Sequence, residues 1–189
     1  MCSTILFVSG NKNKLSEIIE ILGDKYSSLL SFSDIDLPEL QGTVNEVSIK
    51  KCEEAANRLN SSVLVEDTSL CFDALNGMPG PYIKWFLKAL GPDGSLPKLI
   101  TGFGENNSAE AICTFAYSAG PGCPVKLFQG VTKGRIVSPR GPRTFGWDPC
   151  FQPDEYDQTY AEMSACTKNA ISHRSRAISQ LKKFLDSLD

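Results

Sequence analysis

The sequence predicts an α/β protein in which short buried strands alternate with amphipathic helices. Near the N-terminus, the apolar run Thr4–Val8 breaks into a polar glycine turn, and apolar residues at helical spacing follow. Val63–Leu70 is another run that begins with aliphatic residues and stops on carboxylates and hydroxyls, as a buried strand would. From Ile171 to Leu188 the apolar spacing is that of a long amphipathic helix.

Composition limits the size of the fold and its partners. At 189 residues and 41% hydrophobic, the chain can bury a real core, and we expect a single domain spanning 1–189, with two lobes. The formal net charge of −3 gives no basic footprint for duplex nucleic acid, so no nucleic-acid partner is expected. An anionic ligand must therefore meet a local cluster of cations.

The cysteines and the N-terminus indicate a reducing compartment. Seven cysteines are scattered without a CxxC pair, and His173 is the one histidine, so we expect free thiols and no zinc site. Thr4–Val8 is too short for a signal peptide or a membrane span. We therefore expect a cytoplasmic protein without a membrane partner.

The central run presents two adjacent carboxylates, Glu66 and Asp67, where the predicted strand ends. Chemistry in α/β sheets concentrates at such ends, and successive strand residues face opposite sides, so the two carboxylates are expected to do different work. The alternative is a strand that ends in a capped turn, with Asp67 or Thr68 bonding nearby backbone N–H groups.

The first turn, Ser9-Gly10-Asn11-Lys12-Asn13-Lys14, outlines a phosphate site. A helix N-terminus offers free N–H groups and a positive dipole end, and the lysines add charge. The sequence is not a Walker A loop, which needs Gly-Lys-Ser/Thr. The alternative is a solvated basic turn that caps the helix.

Further elements follow in order. Ser28–Phe32 is a predicted strand, and Ile35–Gly42 a loop that contains Glu39 beside a proline. Thr43–Glu46 fits a capping box, and the apolar spacing then predicts a helix as far as Leu59, with Lys51 near its middle.

The second half of the chain adds a helix, a hairpin and an aromatic turn. Ile83–Leu90 has helical spacing, with Lys84 off its apolar face, and Glu110–Ser118 and Val125–Val137 resemble the two arms of a hairpin. In Phe145–Phe151 the aromatic rings either fill a core edge or form a stacking slot for a planar base. His173 and Arg174 begin the last helix, where the dipole disfavours cations, so a function there would explain them.

Together these segments resemble one family, the inosine triphosphate pyrophosphatases, also called Ham1-like or non-standard purine nucleoside triphosphate pyrophosphatases, and within it the eukaryotic branch. The resemblance runs from the first predicted strand to the last helix. It is carried by Ser9–Lys14, Leu37-Pro38-Glu39, Glu66-Asp67-Thr68, Pro79–Phe86, Phe145–Pro149, Tyr160–Met163 and Ser172-His173-Arg174. Asn13 departs from the pattern, because eukaryotic members usually place a basic residue there.

The resemblance implies an activity, a fold and an assembly. The activity is hydrolysis of ITP, dITP and XTP to the monophosphate and pyrophosphate, which removes these nucleotides from the pool and classes the enzyme as a hydrolase of acid anhydrides. The fold is two-lobed, with a long mixed sheet flanked by helices and the active site in the cleft between the lobes. Dependence on Mg²⁺, with Mn²⁺ as an alternative, and a homodimer are also family traits.

The resemblance also implies roles for particular residues. Glu39 and Asp67 match the metal ligands, and Asp67 and Lys14 the catalytic residues. Substrate contacts are expected from Ser9, Gly10, Asn11, Lys12, Asn13, Lys14, Lys51, Asp67, Thr68 and Lys168 around the phosphates, and from Lys84, Phe145, Gly146, Trp147, Asp148, His173 and Arg174 around the rest of the nucleotide.

Our mechanistic hypothesis is that Asp67 orients or deprotonates the attacking water, with Glu66 as the alternative base. Lysines hold the departing pyrophosphate, and Arg174 donates to the 6-oxygen of hypoxanthine or xanthine. Three alternatives are a broader nucleotide pyrophosphatase, a regulatory module that binds the nucleotide without cutting it, and a plain α/β domain with a basic cleft.

Overall fold

The structure is a computed structural model that describes residues 4–10, 12–26, 28–90 and 96–188. These described residues contain seven strands: β1 Ile5–Val8, β2 Leu30–Ser33, β3 Val63–Phe72, β4 Pro79–Gly80, β5 Ser108–Ser118, β6 Lys126–Ile136 and β7 Phe151–Pro153. Five α-helices accompany them: α1 Lys12–Leu22, α2 Val44–Leu59, α3 Ile83–Leu90, α4 Ala165–Ile171 and α5 His173–Leu185.

The strands form one mixed sheet in the order β2-β1-β3-β5-β6-β7, with β4 paired to β3. β1 runs parallel to β2 and β3, whereas β4 is antiparallel to β3 and β7 is antiparallel to β6. The predicted α/β fold with a long mixed sheet and flanking helices is therefore confirmed.

The prediction that β3 stops at its two carboxylates is wrong. β3 continues to Phe72, and Leu70 and Phe72 are fully buried. The reason is that β4 pairs with Leu70 and Cys71, which extends the strand beyond its polar centre. β1, however, pairs with β3 only as far as Val65, so Glu66 and Asp67 lie just beyond the end of their parallel neighbour.

The chain forms two compact units, and β3, β5 and β6 each supply residues to both. The first unit contains the described residues up to Asp67, Cys113–Gly130 and those from Arg174 onward. In it, one core brings α1 and α5 together around Leu64 of β3, and another brings α2 together with Val63 and Val65. Because neighbouring strand residues face opposite sides, α1 and α5 cover one face of β3 and α2 the other.

The second unit contains Thr68–Ile112 and Val131–His173. Its core joins the far half of β3 to α3 and to a 3₁₀ helix, Leu96–Phe103, where the apolar spacing indicates a short helix. Aromatic side chains from the segments around β7 complete this core. They are Trp147, Phe151 and Tyr160.

Two helix starts agree with the sequence. The predicted capping box is present at α2, because the Thr43 hydroxyl accepts from the Glu46 N–H and the Glu46 carboxylate accepts from the Thr43 N–H. α5 begins at His173 as predicted, although Ile171 belongs to the separate helix α4.

The six cysteines in the described part of the chain are free thiols, as predicted. Burial raises the pKa of Cys52 to about 12 and that of Cys71 to about 11, so both stay protonated at neutral pH. Across the described ranges, every helix is too short or too polar to cross a bilayer.

Candidate functional site

Five charged side chains lie close together around the two carboxylates of β3, all within the first compact unit. They are Glu66, Asp67, Lys14, Lys51 and Arg174. Glu66 lies on the face of the strand that α1 and α5 cover, and Asp67 lies on the face that α2 covers. Each carboxylate has its own lysine: Lys14 of α1 pairs with Glu66, and Lys51 of α2 pairs with Asp67. The two carboxylates thus have different surroundings, as the sequence predicted.

Asp67 is largely shielded and half engaged. Its Oδ1 accepts from Lys51 Nζ at 3.2 Å, whereas its buried Oδ2 has no hydrogen-bond partner among the described residues. Burial raises the pKa of Asp67, and the positive charges of Lys51 and Lys14 only partly offset this. An ionised Asp67 therefore gains from a further cation.

Glu66 is more deeply buried and more fully engaged. Lys14 Nζ lies 2.5 Å from Oε2, Arg174 Nη2 lies 3.4 Å from Oε1, and the Cys113 thiol donates to Oε1 at 3.3 Å. The second arm of Arg174 donates to Glu17 of α1. Burial alone would lower the pKa of Arg174, but Glu66 and its other anionic neighbours raise it overall, so the guanidinium stays charged.

Two carboxylates, Glu17 and Glu66, explain the cation at the start of α5. The first turn of this helix contains no acidic residue that would complement the helix dipole. Arg174 is 2% exposed, and its charge is instead balanced by Glu17 and Glu66. The dipole anomaly in the sequence thus marks a buried ion-pair network.

The phosphate-site turn follows β1. The Ser9 N–H donates to Ser33 O at 3.2 Å, which fixes the start of the turn beside β2. Gly10 follows, Asn11 lies outside the described residues, and Lys12 and Asn13 open α1. The predicted strand and helix are therefore present, although the helix begins at Lys12, inside the segment predicted as a turn, and the predicted phosphate contacts stay a prediction.

The predicted metal ligands, Glu39 and Asp67, both belong to the first unit. Glu39 is exposed in the loop between β2 and α2. Within the described ranges, no three carboxylate, thiol or imidazole groups cluster closely enough to hold a metal ion. Mg²⁺ needs no such cage, because one or two carboxylates, water and substrate phosphates usually hold it. The open, buried Oδ2 of Asp67 fits that requirement.

A second group of predicted residues assembles in the second unit. Asp148 is 4% exposed and Lys168 of α4 is 8% exposed, and they pair at 2.6 Å. The Lys168 ammonium also lies 4.4 Å from the centre of the Phe145 ring. A positive φ of 44° at Gly146 lets the chain turn between Phe145 and the buried Trp147.

Aromatic packing fixes the floor of this group. The His173 ring stacks on Tyr160 at 5.8 Å between centroids and contacts the Trp147 ring at 5.3 Å. Trp147 also meets Phe151 edge-on at 5.5 Å. Both interpretations of the aromatic turn therefore have support: Trp147 fills the core, whereas Phe145 is only partly buried and contacts Lys168.

Thr68 and Lys84 are two further predicted residues. Thr68 is half-buried in β3, in the second unit, one residue after Asp67. Lys84 is exposed on α3, and its ammonium lies 5.5 Å from the Trp85 ring centre. Their substrate contacts stay predictions.

Sequence reasoning missed three participants. Glu17 pairs with Arg174, Cys113 donates to Glu66, and Tyr160 stacks on His173. Glu17 lies one helical turn after Lys14, so helical spacing could have placed it on the same face. Tyr160 stands in a segment that resembles the family, but nothing in its local sequence indicates a partner.

Comparisons with known proteins agree with this fold. Residues 5–184 match the sequence profile of the Ham1 family. The Ham1 protein of Staphylococcus aureus is 30% identical, with a TM-score of 0.81, and the match covers 98% of this chain and 100% of that one. For a HAM1 protein of Coxiella burnetii the identity is 29%, the TM-score 0.86, and the coverage 98% and 99%.

A third solved structure is described by its activity. It is a nucleoside-triphosphatase and dITP/XTP pyrophosphatase from Mycobacterium abscessus, 27% identical, with a TM-score of 0.74 and coverage of 94% of this chain and 97% of that one. The profile spans the polar turn after β1, the carboxylates of β3 and the start of α5. The chain therefore belongs to the Ham1 family.

Proposed function

We propose that this protein hydrolyses non-canonical purine nucleoside triphosphates, namely ITP, dITP and XTP, to the nucleoside monophosphate and pyrophosphate. The observation that carries the proposal is the buried Asp67, which lies between lysines and keeps one carboxylate oxygen without a hydrogen-bond partner among the described residues. The family match and the dITP/XTP pyrophosphatase from Mycobacterium abscessus support the substrate class. Hydrolysis removes these nucleotides from the pool.

Charge neutralisation is the first requirement of this reaction. A triphosphate brings about four negative charges, and the transferring group is stabilised by positioned cations. Lys14 and Lys51 are lysines that pair with these carboxylates, and we assign them to the phosphates. Asp67 and Glu39 would hold Mg²⁺, which when bound would neutralise phosphate charge and strengthen the electrophile. Asp67 also orients or deprotonates the attacking water.

We assign recognition of the purine base to Asp148 and Lys168 of the second unit. This differs from the family resemblance, which implies that Lys168 contacts the phosphates. Lys168 donates to Asp148, and the Lys168 ammonium lies over the Phe145 ring. Hypoxanthine and xanthine present an acceptor at O6 and a donor at N1–H, whereas adenine presents the reverse. Adenine would therefore leave two mismatched polar contacts, and such mismatches discriminate strongly. Arg174 pairs with Glu17 and Glu66, so we assign it a structural role and not a contact with the purine base.

Four narrower statements stay predictions, the first three from the family resemblance and the last from the cysteine pattern. They are the eukaryotic branch, the homodimer, the use of Mn²⁺ in place of Mg²⁺, and the cytoplasmic location. The overall negative charge supports the absence of a nucleic-acid partner.

A product assay over a panel of nucleotides tests the activity. With Mg²⁺, ITP, dITP and XTP are expected to yield the monophosphate and pyrophosphate much faster than ATP does, because adenine would make two mismatched polar contacts. With EDTA the rate is expected to fall to background, because two carboxylates beside a polyanion gain nothing unless a metal intervenes. Ion-exchange chromatography of the products measures both results.

Each rival function has its own outcome in this assay. Equal rates on ATP and ITP would indicate a broader nucleotide pyrophosphatase. Nucleotide binding without product would indicate a regulatory module. Nucleoside diphosphate and phosphate as products would contradict the proposed reaction.

Asp148→Asn tests the assignment of the base. An amide can donate to N1 of adenine, so the ITP:ATP ratio of kcat/KM is expected to fall roughly tenfold to hundredfold. Asp154→Asn, an exposed change in the same unit, is the matched control. An unchanged ratio in Asp148→Asn, together with a reduced ratio in Arg174→Ala, would return base recognition to Arg174.

A further inference from the structure

Glu66 is a buried carboxylate that no step of the proposed reaction uses. Its side chain is fully shielded from solvent and receives three contacts from three different elements. Lys14 comes from α1, Cys113 from β5 and Arg174 from α5. The position of Glu66 on β3 is itself fixed by the sheet, so these side chains meet a rigid reference point.

These contacts disfavour Glu66 as the general base. A base must lie within hydrogen-bond reach of the water that it deprotonates. Each Glu66 oxygen lies against a cation, Lys14 at Oε2 and Arg174 at Oε1, whereas Asp67, on the opposite face of the strand, has a cation only at Oδ1 among the described residues. Glu66 also shares its strand face with Leu64, which lies in the core of α1 and α5.

We infer that Glu66 is a positioning residue that holds Lys14 and Arg174 in place for the triphosphate reaction, an inference that rests on the proposed function. A lysine has a flexible four-carbon stem and loses catalytic value when its ammonium moves. The short contact from Glu66 fixes that ammonium, while leaving the Lys14 side chain 20% exposed. A lysine ammonium has three donors, so Lys14 can hold Glu66 and a phosphate oxygen together.

Glu17 also helps to fix the position of Arg174. It receives the other arm of Arg174, and it lies on α1, the helix that also carries Lys14. The guanidinium of Arg174 therefore links β3 to α1 through Glu66 and Glu17. Movement of Arg174 would be transmitted to the helix that presents Lys14.

Positioning makes a specific prediction about kinetics. Glu66→Gln keeps the shape of the side chain and removes one negative charge beside Lys14. The charge cluster then becomes more positive, so KM for Mg-ITP is expected to stay equal or fall. Because Lys14 and Arg174 lose their fixed positions, kcat is expected to fall roughly thirtyfold to hundredfold. Loss of folded protein alone would lower the active fraction and leave KM unchanged, so kcat is compared per folded molecule.

A second variant of Glu66 separates the effect of its charge from the effect of its length, and a control variant accompanies it. Glu66→Asp keeps the charge and is one methylene shorter, so KM is expected at the wild-type value while kcat stays low. Asp186→Asn is the matched control, because Asp186 also pairs with two side chains, Lys25 and Tyr26, in the same unit. It follows α5 at the end opposite to Arg174, roughly 18 Å along the helix axis. Its kcat and KM are expected within about twofold of wild type.

NMR of ¹⁵N-arginine-labelled protein provides a readout besides activity. The paired guanidinium of Arg174 is expected to give a protected side-chain signal that Glu66→Gln loses and Asp186→Asn keeps. Where Glu66→Gln does not fold, Glu66→Asp serves for both measurements. A kcat per folded molecule within twofold of wild type, or an unchanged Arg174 signal, would overturn the inference. Failure of the wild type to hydrolyse ITP would overturn the proposed function, and the NMR result would then decide the role of Glu66 separately.

Discussion

Asp67→Asn is expected to lower kcat on ITP by roughly 10² to 10⁴, the usual range for loss of a general base. The amide has nearly the same shape, but it cannot take a proton, and it is a weaker ligand for a hard cation. Because Oδ2 has no hydrogen-bond partner among the described residues, the change removes chemistry there without breaking a contact. Pyrophosphate release at saturating Mg²⁺ measures the effect.

The stability of Asp67→Asn is expected to move the other way. A raised pKa means that the folded state disfavours the ionised carboxylate relative to the unfolded chain, so ionised Asp67 costs stability at neutral pH. The neutral amide removes that cost, although Lys51 loses its charged partner. A thermal midpoint equal to or above that of wild type, with low turnover, would identify a residue retained for function.

Asp73→Asn is the matched control for this experiment. Asp73 follows β3 directly, is exposed, and begins a short 3₁₀ helix in the second unit. We expect its turnover to equal that of wild type. Near-normal turnover in Asp67→Asn at saturating Mg²⁺ would remove Asp67 from the chemistry and favour Glu66, the alternative base.

Features of the fold that are encoded locally could be predicted from the sequence. The capping box at α2 is contained in Thr43–Glu46, and its reciprocal bonds depend on nothing outside those residues. The apolar runs of β1 and β3 and the spacing in α1 likewise predict their own structure. The continuation of β3 could not be predicted in this way, because its second half is stabilised by pairing with β4.

The chemistry of the site was predicted less completely, because its pairs are distant in sequence. Arg174 is 108 residues from Glu66 and 157 residues from Glu17, and no local pattern joins them. What the sequence did signal was an anomaly, a cation at a helix start. Such violations of a local rule often mark functional sites, and this one led to the buried network around Glu66.

Gly134→Ala is expected to destabilise the protein by about 3 kcal/mol, at the upper end of the usual cost of overpacking. An added Cβ would clash with Gln152 O and would lie 2.8 Å from Phe151 Cζ. The first of these atoms is backbone and cannot turn away, so β6 and β7 would have to separate where Gly134 pairs with Pro153. For a chain of this size, the thermal midpoint should fall by about 6 to 12 °C.

The control for Gly134→Ala is Gly102→Ala, because an added Cβ at Gly102 would meet nothing within 4 Å. Its stability is expected to stay within about 0.5 kcal/mol of wild type, and urea unfolding measures both variants. Equal stability of the two would contradict the steric argument.

Phe151 begins β7 and packs on Trp147 and Tyr160, so displacement of β7 is also expected to disturb these rings. The same glycine thereby maintains the aromatic floor beneath the Asp148–Lys168 pair, and ITP:ATP selectivity in folded Gly134→Ala should fall along with stability.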